Sequence, residues 1–197
     1  MKVARVDGQQ GFADPAWAGW DALGAEQVSL APVALEAQPT EYIRETWKDR
    51  DYGQTAQARL AAASDGDRLY LRVEWADDER PNGEFQDAVS AVFPTNGSGV
   101  LATLGDADKP LALWFWEHGR PTPLRLISSG PGVVRKDEDG QLGASGVLSD
   151  GSWTVVLSGP AAIAQKGKVA LAVWNGSNEE RAGLAAVSRE WLPLELE

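Results

Sequence analysis

Most of the side chains here that could do chemistry are carboxylates. Asp77-Asp78-Glu79, Asp106 with Asp108, and Asp137-Glu138-Asp139 each bring acids close together in the sequence. Two carboxyls held about 5–9.5 Å apart across a bond are the machinery of glycoside hydrolysis, and acidic clusters also attract hard cations. Acid runs in turns are, however, the ordinary composition of solvated surface. The Asp77 run also lacks the remaining ligand spacing of an EF-hand loop. The sole histidine, His118, would have to serve as base in any Ser–His–Asp arrangement, and nothing around it supports that role. No nucleophile elbow, phosphate-binding loop or dinucleotide fingerprint is present, so catalysis by this chain alone is not expected.

Ligand binding is better provided for. Imidazole is a good haem-iron ligand, which makes His118 a candidate for that role. Nine tryptophans occur, at 17, 20, 47, 75, 114, 116, 153, 174 and 191. Trp114 and Trp116 flank Phe115 on one face of a single candidate strand. They are placed to line a pocket for a planar ligand, either a porphyrin or a sugar ring, or to fill an ordinary core.

The elements that must position these groups are short apolar runs cut by Gly, Pro, Asp and Asn. Leu69 to Trp75 alternates strictly, with Leu69, Leu71, Val73 and Trp75 on one face. Ala88 to Phe93, Leu111 to Glu117, Pro123 to Ser128, Trp153 to Ser158, Lys168 to Trp174 and Leu192 to Leu196 are further strands. Asp65-Gly66, Asn82-Gly83, Asn96-Gly97, Asp139-Gly140, Asp150-Gly151 and Asn175-Gly176 mark the turns. Ala58 to Ala63 is either a short helix or a strand, Pro160 to Gln165 one helical turn, and Gly130 to Gly146 the most loop-like stretch. The pattern predicts an all-β, antiparallel β-sandwich with little helix, in one domain over residues 1–197.

Composition narrows the function classes. The 197 residues carry a net charge of −11, which repels nucleic-acid phosphates. There is no cysteine, so disulfides, iron–sulfur clusters, zinc–thiolate sites and covalent c-type haem are excluded together. No run approaches the roughly 20 apolar residues of a membrane span. No apolar segment follows the N-terminal Lys2 and Arg5, so no secretory signal is read there. A cytoplasmic protein, or one exported as the passenger of a partner, fits that.

Three segments together carry a resemblance to a known family. The first runs from Trp75-Ala76-Asp77-Asp78 to Phe85-Gln86-Asp87-Ala88-Val89-Ser90-Ala91-Val92-Phe93-Pro94. The second is Leu104-Gly105 followed by Lys109-Pro110-Leu111-Ala112-Leu113-Trp114-Phe115-Trp116. The third runs from Ala172 through Trp174-Asn175-Gly176 to Ser188, then Trp191 to Leu196. In order and spacing these resemble the γ subunits of type II dimethylsulfoxide reductase-family molybdenum enzymes, across essentially the whole chain.

The resemblance implies an immunoglobulin-like or family-9 carbohydrate-module-like sandwich with haem b in a cleft between its two β-layers. It also implies electron transfer alongside a molybdopterin catalytic subunit and an iron–sulfur subunit, and a periplasmic location reached by co-export. The family's iron ligands are a methionine and a lysine. The matching positions here are Leu104 and Ala185, which have no donor atom in their side chains. Arg181, in the third segment, is a further cofactor-contacting candidate. Glu117 stands where a basic residue is common in the family, and Gly159 where an arginine is common. Three outcomes follow: a haem-free docking subunit, a variant altered at its ligands, or haem held by a substitute such as His118, Lys109 or water. A carbohydrate-binding module, with Trp114 and Trp116 as the sugar clamp, is the alternative from a different class.

Overall fold

The computed structural model describes residues 1–6, 11–78, 84–137 and 141–196. The turns at Asn82-Gly83 and Asp139-Gly140, together with Glu79, Glu138 and Asp139, lie outside the described residues. One set of strands comprises β1 (Lys2–Arg5), β2 (Glu26–Pro32), β3 (Gln57–Ser64) and β4 (Arg68–Ala76), with a 3-10 turn (Leu35–Ala37) and a short α-helix α1 (Glu41–Trp47) between β2 and β3. Next come β5 (Ala88–Pro94), β6 (Leu111–Glu117), β7 (Leu124–Ser128), β8 (Val134–Lys136), β9 (Gly143–Ser149) and β10 (Ser152–Pro160). The chain continues with β11 (Lys168–Trp174), β12 (Ala186–Ser188), β13 (Leu192–Pro193) and β14 (Glu195–Leu196).

These strands form two facing layers, almost wholly antiparallel. The first runs β2-β3-β4-β10-β9 and the second β12-β11-β5-β6-β7-β8. β2 belongs to both, since Glu26–Ser29 pair with β3 while Leu30–Pro32 pair with β12. Alternation decides what lies between the layers. Leu69, Leu71, Val73 and Trp75 of β4 meet Val89, Ala91 and Phe93 of β5, Trp114 and Trp116 of β6, and Leu171 of β11. The expected sandwich is present, and its middle is filled by side chains.

β5 and β11 are buried along nearly their whole length. A strand in a two-layer sandwich normally shows water one of its faces. Here the outward face of the second layer is covered as well. Ala88, Val92, Leu111, Leu113, Ala170, Ala172 and Val187 pack there beneath Leu101, Leu104 and Ala185. The near-continuous apolar runs of β5 and β11 have this cause, and the covering segments create the candidate site.

Several elements differ from their sequence-based expectation. The segment around Ala58 to Ala63 is the central strand β3, with Leu60 and Ala62 facing the core. The loop-like 130–146 stretch contains β8 and the start of β9, the two edges of the strand order. Edge strands need no apolar alternation, which removes the signal that identifies the others. The helix α1 was not foreseen: it is two turns long, capped by the Thr40 hydroxyl accepting from the Ile43 N–H at 3.2 Å. Among the described residues no helix is long and apolar enough to cross a membrane.

Candidate ligand-binding site

A cavity of about 210 Å³ opens on the outward face of the second layer. β6 supplies its floor. Leu113, Phe115 and Glu117 point into it, because odd-numbered residues of this strand face away from the inter-sheet core. Ala88 of β5, Leu126 and Ser128 of β7, and Val134 of β8 extend the floor sideways, and Trp174 at the end of β11 closes one wall. Leu104, Glu180, Arg181 and Ala182 come from the covering loops, with Phe85 and Gln86 at the entry to β5.

Two non-glycine residues of these walls hold left-handed backbone, Leu104 at φ 51 and Ala182 at φ 52. That conformation costs roughly 1–2 kcal/mol per residue, so surrounding contacts must impose it. For Leu104 the contacts are explicit. Its N–H donates to the Leu101 carbonyl at 2.9 Å, and its own carbonyl accepts the Ser128 hydroxyl at 2.6 Å. Gly105, also at positive φ, donates to the Val100 carbonyl at 2.8 Å. The tight turn turns the Leu104 side chain inward, where it is buried. For Ala182, the Trp174 indole N–H donates to its carbonyl at 3.0 Å.

Two buried carboxylates hold the loop behind the cavity, and the sequence reading singled out neither. Glu180 accepts from the Gly53 N–H at 2.7 Å and the Asn175 N–H at 2.9 Å, and from the Asn178 amide at 3.1 Å. Burial pushes its pKa above the ordinary value; the bonds from Asn175, Asn178 and Gly53 pull the other way without cancelling it. Asp87 accepts from the Gly176 N–H and the Trp153 indole N–H, both at 2.8 Å. An isolated acid within an apolar segment, as at Asp87 before Ala88-Val89, was the available signal.

The expected site residues divide. Leu104 and Arg181 line the cavity. Ala185 is fully buried in the apolar cluster that contains Leu104 and Leu113, but it is not a lining residue. Its carbonyl accepts the Val33 N–H at 2.9 Å. Trp114 and Trp116 do not reach the cavity. As even-numbered residues of β6 they face the inter-sheet core, with Trp114 1% exposed and Trp116 7% exposed. Gly159 of β10 and Gly146 of β9 leave room for them: an added Cβ would lie 2.6 Å from the Trp114 ring and 2.5 Å from the Trp116 ring. Gly159 is therefore a packing position against Trp114, and no part of the cavity. His118 also points to the inter-sheet side, its ring 5.0 Å from that of Trp153. Lys109 is exposed and outside the cavity. The cleft expected between the layers is instead solid core, and the cavity lies behind one layer.

The donor set does not fit haem iron. The chain has no cysteine, its one methionine is Met1 in the inter-sheet core, and its one histidine faces away. No lysine or tyrosine lines the cavity either. Of the two carboxylates that do among the described residues, Glu180 is held by backbone N–H groups and Glu117 is paired with Arg120 at 2.7 Å. A sugar clamp lacks its rings too, since Trp114 and Trp116 are interior. Among the described residues no three His, Asp or Glu side chains converge as metal ligands.

No family model matches the sequence. Among curated proteins, the chain is 28% identical over 200 residues to a protein of Haloferax mediterranei assigned by inference as a respiratory nitrate reductase heme subunit, covering 85% of this chain and 72% of that one. It is 31% identical over 160 residues to the chlorate reductase subunit gamma of Ideonella dechloratans, covering 72% and 66%. It is 28% identical over 201 residues to the dimethylsulfide dehydrogenase subunit gamma of Rhodovulum sulfidophilum, covering 91% and 72%. Among solved structures, a family 9 carbohydrate-binding module from Caldicellulosiruptor kristjanssonii, in complex with glucose, matches 100% of this chain and 95% of its own, with TM-score 0.58 and 12% identity. That likeness concerns the β-sandwich fold alone.

Proposed function

We propose that this chain, which belongs to the γ-subunit family of the dimethylsulfoxide reductase-type oxidoreductases, is a haem-free, non-catalytic docking subunit of a molybdenum enzyme complex. Its partners on this reading are a molybdopterin catalytic subunit and an iron–sulfur subunit. The similarity to the chlorate reductase and dimethylsulfide dehydrogenase gamma subunits supports the assembly role. One observation carries the haem-free part: within an intact family fold, the Leu104 and Ala185 side chains offer no electron pair, and among the described residues no cavity residue substitutes for them. Hydrophobic enclosure can retain a porphyrin, but without axial donors the iron lacks the ligand field that sets an electron-transfer potential. Co-export with a partner to the periplasm is part of the same proposal.

Two measurements test it. Affinity purification of the tagged chain from its native host should bring down a molybdenum-containing subunit, and failure to do so refutes the docking role. Reconstitution of the purified chain with haemin should give no Soret band. A stoichiometric band with a six-coordinate spectrum would refute the haem-free assignment while leaving docking untouched.

A further inference from the structure

We infer that the cavity behind the second layer is a binding site for a small organic anion with a single-ring apolar body, of the arylalkanoate type. This rests on the cavity alone and is independent of the docking role.

Size is the first argument. A cavity of about 150 Å³ lined by aliphatic and aromatic side chains holds benzene. At about 210 Å³ the present one has room for a ring with a short side chain. It falls below the roughly 300–1,000 Å³ usual for drug-sized ligands, and a macrocycle is larger again. Lining chemistry is the second. Leu104, Leu113, Phe115, Leu126 and Trp174 make the interior apolar, and Phe115 and Trp174, in edge-to-face contact at 5.4 Å, offer a ring aromatic neighbours.

Charge at the rim is the third. Glu117 is neutralised by Arg120, and the Glu180 carboxylate is turned to backbone N–H groups. Arg181 is the cavity residue with no carboxylate partner among the described residues. Its guanidinium lies 4.2 Å from the Phe85 ring centroid, and one of its nitrogens donates to the Glu179 carbonyl at 2.8 Å. Stacking and that bond pre-orient a planar donor at the mouth of an apolar hole, which is the arrangement that selects a carboxylate. In a protein of net charge −11, an unpaired arginine at such a place is the local exception.

Titration calorimetry of the intact chain with 3-phenylpropionate tests this. One site with Kd below about 1 mM is expected, weakened about tenfold or more by Arg181→Gln, the loss of one charge-assisted contact. On the unaltered protein 3-phenylpropan-1-ol should be weaker by a similar factor, and hexanoate weaker than the aromatic acid. Leu126→Trp, which fills the cavity, should abolish binding. Because Arg181 is exposed, its variant does not threaten the fold and keeps the test decisive if the Leu126 variant misfolds. The proposal is overturned by the absence of saturable binding at millimolar acid, by equal affinity in Arg181→Gln, or by the alcohol or hexanoate binding as tightly as the aromatic acid. Displacement of the acid by haemin with a developed Soret band would also overturn it.

Discussion

Replacing Glu180 by glutamine probes the loop that closes the cavity. Both carboxylate oxygens accept from the main chain, one from Gly53 at 2.7 Å and the other from Asn175 at 2.9 Å. Glutamine has one acceptor oxygen and one NH₂ group. Whichever way the amide is turned, its donors face one of those backbone N–H groups, and that N–H is left without a partner. Leaving that buried N–H unpaired costs about 1–3 kcal/mol, partly offset because the neutral amide no longer carries the carboxylate's burial penalty; a protonated Glu180 avoids this cost, since its hydroxyl oxygen still accepts. A net loss of about 2 kcal/mol is expected, or roughly 4–8 °C in melting temperature for a chain of this size.

The pH dependence provides a second, signed test. Burial raises the folded-state pKa of Glu180 above its ordinary value of 4.5. Its contribution is therefore fully present below 4.5 and is lost as pH rises through the higher folded value. The variant lacks this term, so its deficit should widen as pH falls from neutrality towards 4.5. Urea denaturation followed by far-ultraviolet circular dichroism at several pH values, with wild type and variant run in parallel, isolates the difference from the other carboxylates. Equal stabilities at neutral pH, or a gap that narrows on acidification, would refute the reasoning.

Gly159→Ala and Gly146→Ala should each destabilise by about 1–3 kcal/mol in urea titrations, because a Cβ would sit 2.6 and 2.5 Å from the Trp114 and Trp116 rings. Ser128→Ala removes the 2.6 Å bond to the Leu104 carbonyl and should cost about 0.5–1.5 kcal/mol, with faster amide exchange over 101–105 as its local signature. Ala185→Lys alone buries an ammonium at a fully enclosed position and should cost at least about 2 kcal/mol. Combined with Leu104→Met it restores the two donor types that the family resemblance implies. Because the cavity of about 210 Å³ is too small for a macrocycle and Ala185 does not line it, the double variant should still give no Soret band on haemin addition; a developed band would refute the size argument.

Much of the fold was legible in the chain. Strict alternation from Leu69 to Trp75, and the apolar runs at 88–93 and 168–174, identify core strands because burial imposes a period of two or none. β8, β9 and α1 were not legible: edge strands and a two-turn helix satisfy their main chains without an apolar pattern. The site was only half legible. Leu104 and Arg181 emerged from the family resemblance and line the cavity, whereas Trp114, Trp116 and His118 were chosen for their chemistry and face the other way.

The reason lies in β6. Pleating makes Leu111, Leu113, Phe115 and Glu117 share one face and Ala112, Trp114 and Trp116 the other, and that parity is a property of the sequence alone. Both faces are apolar, so nothing within Leu-Ala-Leu-Trp-Phe-Trp distinguishes the core side from the cavity side. That choice is made by partners distant in the chain. β10 and β9 present Gly159 and Gly146 to receive the indoles, while the strained turn at Leu104 and the loop anchored by Glu180 cover the opposite face. The absence of iron donors could be read from residue types; where a small hole would open, and which rings would surround it, depended on which layer each face met.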